Sequence, residues 1–413
     1  MLHGSRVLLT GFGAAAVTLA VAVAARADVF QMPPPLKSLE FVAVDHPGNA
    51  ADTTTGLGAV GYRYQIGKFD VTAAQYVEFL NAVAADDSHG LYYASMSGSI
   101  YCNIQRAGSP GSYSYSVDSG SANRPVNFVS FGAAARFCNW LTNGQPTGAQ
   151  DVSTTEDGSY SLNDATSDAA LLLVTRKAGA RYVLPTADEW YKAAYHKNDG
   201  VTGDYWLYPA RSDEAPTAAL PPGQSDPPGS ANYLSMTGTG PRLTDVGAYT
   251  GSASPYGTFD QGGLLYQWTD TVISSPPWYT PPYTGFAMFS SSYMSGDPLQ
   301  LRSDYQIWPW SPTRQYSFLG FRVARLPDRV AADLDQDGDV DAADYLIFAA
   351  CMTGPAIPYD PDNLSSGCTL VPDAEGRIAA DFDRDGDVDQ DDFGVFQRRW
   401  SGPERPAVAG CED

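Results

Sequence analysis

A duplicated acidic dodecapeptide near the C-terminus constrains this chain more than any other feature. Residues 333–344 read DLDQDGDVDAAD, and residues 381–392, which begin 48 positions later, read DFDRDGDVDQDD. Because crowded carboxylates repel one another and bury no apolar surface, such a segment is either disordered or folded around a cation. The spacing favours the cation, since calcium loops take ligands from positions 1, 3, 5, 7, 9 and 12 and turn sharply at a glycine in position 6.

Both copies keep this register. Gly338 and Gly386 occupy position 6, and Val340 and Val388 occupy position 8, where an apolar side chain can fix the loop to a small core. A solvated acidic tail has no reason to keep such spacing. The sequence therefore predicts two bound calcium ions, with candidate ligand residues Asp333, Asp335, Asp337, Asp339, Asp341, Asp344, Asp381, Asp383, Asp385, Asp387, Asp389 and Asp392.

Each loop precedes a short apolar stretch, and both repeats end in Gly-Pro. A calcium loop followed by one helix, repeated in tandem without a preceding helix, resembles the type I dockerin module. The resemblance covers residues 330–406, leaves 407–413 as a tail, and implies a small α-helical, EF-hand-like unit that docks to a cohesin-like or other extracellular protein receptor. Loop positions 10 and 11, often Ser-Thr in cellulosomal dockerins, read Ala-Ala and Gln-Asp here, which disfavours a standard cohesin.

The first 27 residues have the organisation of an export signal. Arg6 gives a positive start, residues 7–24 are apolar, and residues 25–27 (ARA) form a small-x-small cleavage site. A retained membrane anchor is the alternative, because the apolar run nearly reaches the length of a spanning helix. No other segment has that character, so we expect a secreted protein, at the cell surface or in the periplasm, with no membrane span after cleavage.

The net charge of −22 is concentrated in the C-terminal part of the chain. Residues 331–413 contain 20 acidic and 5 basic side chains, and they carry −15 of that charge. The remainder is only mildly acidic and has no basic stripe, which argues against a nucleic-acid partner.

Export makes disulfides expected among the five cysteines. Cys351 lies in the first calcium repeat, Cys368 between the repeats and Cys411 after the second. Cys351 is therefore predicted to pair with one of the other two. Cys102 and Cys138, which precede the repeats, either pair with each other or remain buried thiols.

Three segments between residues 41 and 326 have the pattern of helices. Thr72 and Thr186 each begin a capping box ahead of an amphipathic stretch, and Ser130 begins the third segment. The rest is rich in aromatic residues, glycine and proline, which predicts short strands and structured loops. Residues 28–40 are interpreted as a linker.

Five motifs in this region follow one another in a familiar order: YQIGKFDVTAAQYVEFLNA, NRPVNFVSFGAAARFCNWL, RYVLPTADEWYKAAYH, SPYGTFDQGGLLYQWTD and FLGFRVAR. They resemble the formylglycine-generating enzymes, also called sulfatase-modifying factor domains, over nearly all of residues 41–326. The resemblance implies an α+β, C-type-lectin-like fold with low regular secondary structure. Active members oxidise a cysteine of a client sulfatase, using molecular oxygen and copper held by two cysteines.

The two copper positions implied by this resemblance are altered. In SSSYMSGDPLQLRSDYQ, Ser295 stands at the first cysteine position and Gln300 at the second, and no cysteine lies between Cys138 and Cys351. Copper(I) prefers thiolate ligands, and serine lacks the thiolate chemistry needed for exchange with a client cysteine. We therefore expect no bound copper and no copper-dithiolate catalysis, with Ser295 and Gln300 as degenerate catalytic positions.

Other metal positions of the family are altered too. The family's GNVWEW segment, which helps to bind a structural calcium, reads GLLYQW here, so Leu264 and Gln267 replace two ligands, while Asn232 matches a position of another calcium site. Iron-dependent relatives use histidines from an added helical domain, and this chain has no H-x-x-x-H-x-E pattern. His196 is interpreted as a partner of a helix C-terminus.

Charged and aromatic side chains near the former active site admit two interpretations. Arg322, within GFRVAR, is expected to form a buried structural ion pair. The alternative is a surviving pocket that grips a peptide or a glycan, with Arg302, Asp304 and Arg314 nearby and exposed aromatic rings that stack on sugars. Those aromatic residues are Trp278, Tyr279, Tyr283, Trp308 and Trp310.

Three functions are consistent with these residues. The first is an exported binding or structural protein without copper catalysis, displayed through its calcium-binding module. The second is an enzyme, an oxidase of the same fold with a non-standard metal site, and the third is a lectin-like carbohydrate-binding protein. No G-x-S-x-G motif supports a serine hydrolase.

Overall fold

A computed structural model describes residues 28–177, 179–223, 229–234, 242–327, 330–335, 339–373 and 376–403. The predicted export signal, Asp337, Gly338 and Cys411 lie outside these residues. The helices are α1 (Ala73–Val83), α2 (Phe131–Thr142), α3 (Asp168–Leu171), α4 (Ala187–Tyr195), α5 (Ala342–Cys351) and α6 (Gln390–Arg399). The strands are β1 (Phe41–Val44), β2 (Tyr64–Gly67), β3 (Ile104–Ala107), β4 (Ser114–Val117), β5 (Tyr182–Val183), β6 (Thr217–Ala218), β7 (Ser230–Ala231), β8 (Tyr266–Ser274), β9 (Thr284–Phe289), β10 (Pro309–Trp310), β11 (Leu319–Gly320) and β12 (Ala324–Arg325).

Two four-stranded sheets form the framework of residues 41–326, called the large region below. In the first sheet β1, β2, β12 and β5 lie side by side, and each strand pair is antiparallel. In the second, β10, β9, β8 and β11 lie side by side, and the β11–β8 pair is parallel. Because β12 inserts between β2 and β5, the end of the large region closes a sheet that its beginning started.

The three predicted helices of the large region begin at the expected residues. Thr72 and Thr186 cap α1 and α4 through complete capping boxes, and the side chain of Ser130 accepts from the N–H of Ala133 in α2. In each case a hydroxyl satisfies a backbone donor that has no partner within its own helix. These three predictions from the sequence are confirmed.

Helices α1 and α2 pack through aromatic rings. Phe79 of α1 meets Phe137 of α2 edge to face at 5.3 Å and lies 5.3 Å from Trp140. Phe321, which precedes β12, adds an edge-to-face contact with Phe137 at 5.4 Å. All four side chains are fully buried, so the core joins both helices to the segment that leads into the first sheet.

Most of the large region is irregular, and buried polar side chains hold its loops. Asn139 of α2 donates to the carbonyls of Thr155 at 2.7 Å and Tyr160 at 2.9 Å, and Asn143 donates to two further loop carbonyls. Such bonds satisfy backbone groups that regular ladders would otherwise pair. The mixed α/β composition with low regular content agrees with the predicted fold class. None of the helices in the described ranges has the length and apolar character needed to cross a bilayer.

Residues 330–403, called the C-terminal unit below, have a core of their own. Phe348 of α5 and Phe396 of α6 stack with ring centroids 5.5 Å apart. Val340 and Val388, at position 8 of the two acidic loops, are fully buried in the same cluster. The apolar residue at this position therefore has the role that the sequence predicted for it.

Each acidic loop is hydrogen bonded to the residue just beyond the helix of the other repeat. The N–H of Val388 donates to Thr353 Oγ1 at 3.0 Å, and the N–H of Thr353 donates back to the Val388 carbonyl at 2.9 Å. Val340 and Ser401 exchange the same two bonds at 2.8 and 3.0 Å. Because each repeat completes the loop of the other, we expect neither repeat to fold alone.

The cysteine pairing left open by the sequence is resolved for the described residues. Cys351, the last residue of α5, forms a disulfide with Cys368, 17 residues later. Cys102 and Cys138 are buried thiols that do not pair with each other.

Replacing Cys351 and Cys368 together by serine is expected to destabilise the C-terminal unit by about 3 kcal/mol, because the crosslink closes a short loop in the unfolded chain. Urea denaturation of the calcium-loaded chain measures this effect. Unfolding of the C-terminal unit is monitored by limited proteolysis at sites C-terminal to the large region. Adding reductant should lower the wild-type midpoint to that of the variant and should leave the variant unchanged. An unchanged midpoint in the variant would contradict the prediction.

Candidate functional site

Four groups of carboxylates in the two acidic loops are each compact enough to share a cation. Within each group the candidate ligand oxygens lie within 4.8 Å of one another. The groups are Asp333 with Asp335 and Asp344, Asp339 with Asp341 and Asp344, Asp381 with Asp383 and Asp392, and Asp387 with Asp389 and Asp392. Asp385 lies in the same second loop, and Asp337 is outside the described residues. The structure thus brings most of the predicted ligand residues together.

The second loop has the sharp turn that the sequence predicted at position 6. Gly386 has a φ of 97°, in the left-handed region that glycine adopts without steric cost. Its N–H donates to Asp381 Oδ2 at 3.2 Å, and the hydroxyl of Tyr359 donates to the same oxygen at 2.9 Å. The first ligand of the loop is thereby held against its middle.

The aspartate at position 12 ties each loop to the helix that follows it. Asp344 Oδ1 accepts from the N–H groups of Leu334 at 2.6 Å and Asp335 at 3.1 Å, and its Oδ2 accepts from the N–H of Asp341 at 2.9 Å. Asp392 makes the three corresponding bonds in the second repeat. One carboxylate therefore both closes the loop and completes the capping box of the helix.

The donor set fits a hard divalent cation. Calcium takes about six to eight oxygen ligands, and each loop gathers two groups of carboxylates that share its position-12 aspartate. In the described part of the chain, Asp381 Oδ1 and Asp387 Oδ1 are buried without a hydrogen-bond partner, which costs free energy unless an ion or water satisfies them. Burial and the charge of Asp383 raise the pKa of Asp392, against the opposing effect of the N–H groups that it accepts.

Ser295 and Gln300 lie beside one cleft in the large region. Ser295 is buried, and its hydroxyl accepts from the N–H of Ser292 at 3.0 Å. Gln300 belongs to the 3₁₀ turn Pro298–Leu301, and its Nε2 donates to the hydroxyl of Tyr305 at 3.5 Å. Tyr266, Gln300 and Tyr305 all line the cleft. Of the two positions predicted from the sequence, Gln300 therefore lines the cleft directly, whereas Ser295 lies outside its lining.

The cleft itself is small, aromatic and polar. It encloses about 70 Å³, and Met288, Phe289, Ile307 and Trp308 contribute its apolar walls. Gln300 Oε1 is buried and has no hydrogen-bond partner among the residues that the structure describes. A polar cleft is thus present beside Gln300, where packed side chains could instead have filled the space.

Residues 58–327 match the family model of the sulfatase-modifying factor enzyme 1-like domain. The match covers more than half of the chain and contains the cleft. The chain belongs to this family. The resemblance inferred from the five motifs is thereby confirmed for residues 58–327, called the family domain below. The dockerin-like character of the C-terminal unit stays a prediction.

Two curated relatives of this family member are named hercynine oxygenase. The protein from Mycolicibacterium thermoresistibile is 32% identical over 169 residues, which are 38% of this chain and 34% of that protein. The protein from Mycobacterium tuberculosis is 30% identical over 159 residues, which are 36% of this chain and 32% of that protein. The chain therefore spans about a third of the length of these relatives.

Three solved structures are similar to 70% of this chain. CarF has 20% identity and a TM-score of 0.41, with 98% of its chain covered. The Treponema denticola variable protein 1 has 17% identity and a TM-score of 0.40, with 95% of its chain covered. PvdO from Pseudomonas aeruginosa has 16% identity and a TM-score of 0.34, with 94% of its chain covered.

The donors at the cleft of this family domain do not fit copper. A serine hydroxyl and a glutamine amide stand at the two positions where the resemblance implies thiolates, the ligands that copper(I) prefers. Cys102 and Cys138 do not line the cleft, and burial raises the pKa of Cys102 to about 11 and that of Cys138 well above its usual range. Neither thiol is therefore available as a thiolate near Ser295 and Gln300.

Gln267, at a position where the resemblance implies a calcium ligand, instead links neighbouring segments through hydrogen bonds of its side chain. Its Oε1 accepts from Trp190 Nε1 at 2.7 Å and from Arg322 Nε at 2.6 Å, and its Nε2 donates to the Asp260 carbonyl at 3.0 Å. Arg322 is fully buried, donates to two backbone carbonyls and pairs with Asp70 at 3.3 Å. The predicted buried structural pair is confirmed, and the amide oxygen of Gln267 is already saturated.

The other two altered or matching calcium positions also have structural contacts. Leu264 is buried in an apolar cluster with Leu265 and Tyr293. Asn232 Nδ2 donates to the carbonyl of Arg242 at 3.1 Å. Leu264, at a position where the resemblance implies a calcium ligand, therefore makes apolar contacts instead.

His196 ends α4 as predicted, but it does not act as a cation there. Its Nε2 faces the Thr202 carbonyl at 3.2 Å, whereas Nδ1 accepts from the N–H of Asn198 and faces the Tyr256 hydroxyl at 2.8 Å. Burial lowers the pKa of His196. The interpretation as a charged partner of the helix dipole is therefore corrected to a neutral hydrogen-bonding bridge.

One cluster had no signal in the sequence. His89 Nε2 lies 3.0 Å from Asp164, and its Nδ1 lies 3.8 Å from Glu156. Glu156 is the bidentate partner of Arg136, with contacts of 2.6 and 2.7 Å. His89 and Asp164 are 75 residues apart, so no local spacing could indicate their contact. Because Arg136 already satisfies Glu156, the cluster is a structural ion-pair network.

Proposed function

We propose that this chain is an exported, copper-free member of its family, whose family domain binds a ligand and is displayed outside the cytoplasm by a calcium-folded C-terminal unit. The observation that carries the proposal is the pair Ser295 and Gln300. By the family resemblance both stand where active relatives hold copper, and Gln300 lines a polar, aromatic cleft in which its Nε2 donates to Tyr305. The polar and aromatic side chains of the cleft can bind a ligand, but its lining contains no cysteine to supply the thiolates for copper chemistry.

The C-terminal unit would act as the attachment module. Two ions would be held by the aspartates of the two acidic loops, and a cohesin-like or other extracellular protein would be the receptor. Leu346 and Tyr345 of α5 and Trp400 after α6 are 69%, 41% and 48% exposed, so apolar surface remains available for such a contact. The Cys351–Cys368 disulfide supports an oxidising compartment, as does the export signal predicted from the sequence.

When the full chain is titrated with copper(I) in competition with a chromophoric chelator, we expect the chelator to keep the copper. The physical reason is the poor match between copper(I) and hydroxyl or amide oxygen. Replacing Ser295 and Gln300 together by cysteine provides the matched comparison, and this variant should bind about one equivalent. Tight uptake by the wild-type chain, with oxygen consumption when a cysteine-containing peptide is added, would overturn the copper-free proposal.

An oxygenase of non-standard metal content is the second candidate function. Its support is the name of the relatives, hercynine oxygenase; a compact group of a histidine and two carboxylates, His89 with Glu156 and Asp164, is present in the described residues, but Arg136 already pairs with Glu156. Of the three histidines in the described residues, His46 and His196 lie with their ring centroids 6.3 Å apart, and His89 is engaged by Gln150 and Asp164. Oxygen consumption with iron(II) and a thiol, measured beside a heat-inactivated sample, distinguishes this candidate from a binding domain.

A further inference from the structure

The half-buried Gln300 at the cleft has an amide oxygen that lacks a partner in an otherwise neutral setting. Gln300 Oε1 is buried and unpartnered among the described residues, and the opposite end of the same amide reaches Tyr305 at 3.5 Å. Arg302 is the charged residue of the lining, and Asp304 already holds its guanidinium through two contacts of 2.7 and 2.6 Å. The cleft therefore lacks a free charge for a carboxylate or phosphate, and it favours a neutral group with an amide or hydroxyl.

The size of the cleft restricts the group that can enter. The enclosed space of about 70 Å³ compares with roughly 10–15 Å³ needed for one water by the same kind of measure. A substituent of a few heavy atoms fits, whereas a whole sugar ring does not. Met288, Phe289 and Ile307 supply apolar contacts for a methyl group, close to the Gln300 amide. An acetamido group combines a methyl with the amide donor and acceptor that such a lining would satisfy.

An aromatic platform lies at the edge of the same cleft. Trp308 lines the cleft and meets Trp278 and Tyr279 edge to face, each with centroids 5.7 Å away. Trp278 is 68% exposed and Tyr279 is 43% exposed, so their outer surfaces are open to solvent. Exposed aromatic faces next to a polar recess suit a ligand with an apolar ring face and a short polar substituent.

We propose that the family domain binds an N-acetylated amino sugar, with the acetamido group in the cleft against Gln300 and the sugar ring on the platform formed by Trp278, Tyr279 and Trp308. This inference deepens the proposed function and rests on it, because it assigns a ligand class to the binding domain. The sugar ring would stack on the exposed aromatic platform, and the acetamido N–H would donate to the unpartnered amide oxygen of Gln300. A peptide would bring the amide but no flat apolar ring, and it becomes an outcome of the test.

Isothermal titration of the full, calcium-loaded chain with the trisaccharide of N-acetylglucosamine tests the proposal. The unacetylated glucose trisaccharide of the same linkage and an N-acetylated tripeptide serve as comparison ligands. The acetylated sugar is expected to bind at least about tenfold more tightly than the glucose trisaccharide, since the latter leaves the Gln300 amide unsatisfied. Equal binding of the two sugars, binding of the tripeptide alone, or no binding of the acetylated sugar at millimolar concentration would each overturn the proposal.

Two variants separate the cleft from the platform. Gln300→Leu should remove the discrimination between the two sugars, and Trp278→Ala should weaken both by about three- to tenfold. Tyr93→Ala, which removes an exposed aromatic side chain of the family domain outside the lining of the cleft, is the matched control and should leave both affinities unchanged. Thermal denaturation of each variant shows whether its fold is intact. If sugar binding fails while copper(I) titration and oxygen consumption also stay negative, the ligand class is wrong but the copper-free domain stands.

Discussion

Removal of calcium is expected to unfold the C-terminal unit while leaving the family domain folded. Without metal, the grouped carboxylates of each loop repel one another, and the buried oxygens of Asp381 and Asp387 stay unsatisfied. A unit of this size rarely gains more than about 3–5 kcal/mol from its core. One ion at a thousand times its Kd contributes about 4 kcal/mol, so two ions decide whether the unit is folded.

Calorimetry of the full chain with calcium and then with excess chelator measures this effect. One transition should disappear, and protease should then cut between residues 330 and 403. The double variant Asp333→Ala with Asp381→Ala should behave like the chelated wild type even in calcium. Asp362→Ala, an exposed acidic residue outside both loops, is the control. A thermal profile that is unchanged by chelator, together with no calcium uptake at millimolar calcium, would refute the assignment of the two acidic loops as calcium-binding loops.

Replacing Arg322 by methionine is expected to destabilise the family domain by about 3–5 kcal/mol, the cost of removing one partner from a buried ion pair. The substitution leaves the buried Asp70 side chain without Arg322, which opposes the rise that burial causes in the pKa of Asp70. It also removes one of the two donors to Gln267 Oε1 and leaves two backbone carbonyls unpaired. Urea denaturation, followed by tryptophan fluorescence, gives the change in the free energy of unfolding.

Arg302→Met is the matched control for this experiment. Arg302 also forms a bidentate contact with an aspartate, but its side chain is 31% exposed, and water can take over from the lost pair. Exposed pairs of this kind contribute about 0.2–1 kcal/mol. Similar losses in the two variants would show that the burial of Arg322 is not what makes it important.

The features predicted correctly from the sequence depend on local spacing. The register of Asp381, Gly386 and Val388 predicts a loop with a turn and a buried anchor, because each role belongs to a fixed position within twelve residues. Thr72 and Thr186 predict helix starts for the same reason, since a cap and its helix are neighbours in the chain. His196 was interpreted incorrectly because burial, which lowers its pKa, cannot be read from its place at the end of a helix.

Residue chemistry alone therefore determined the family and the helix starts, and it predicts the calcium-type loops and the loss of the copper thiolates. The tertiary structure decided which side chains meet: Gln267 with Arg322, Cys351 with Cys368, and Gln300 with an aromatic cleft. It also decided that each acidic loop is completed by the opposite repeat. These contacts join residues that are distant in the chain, and their strength depends on burial and on the loss of water, which only packing in three dimensions creates.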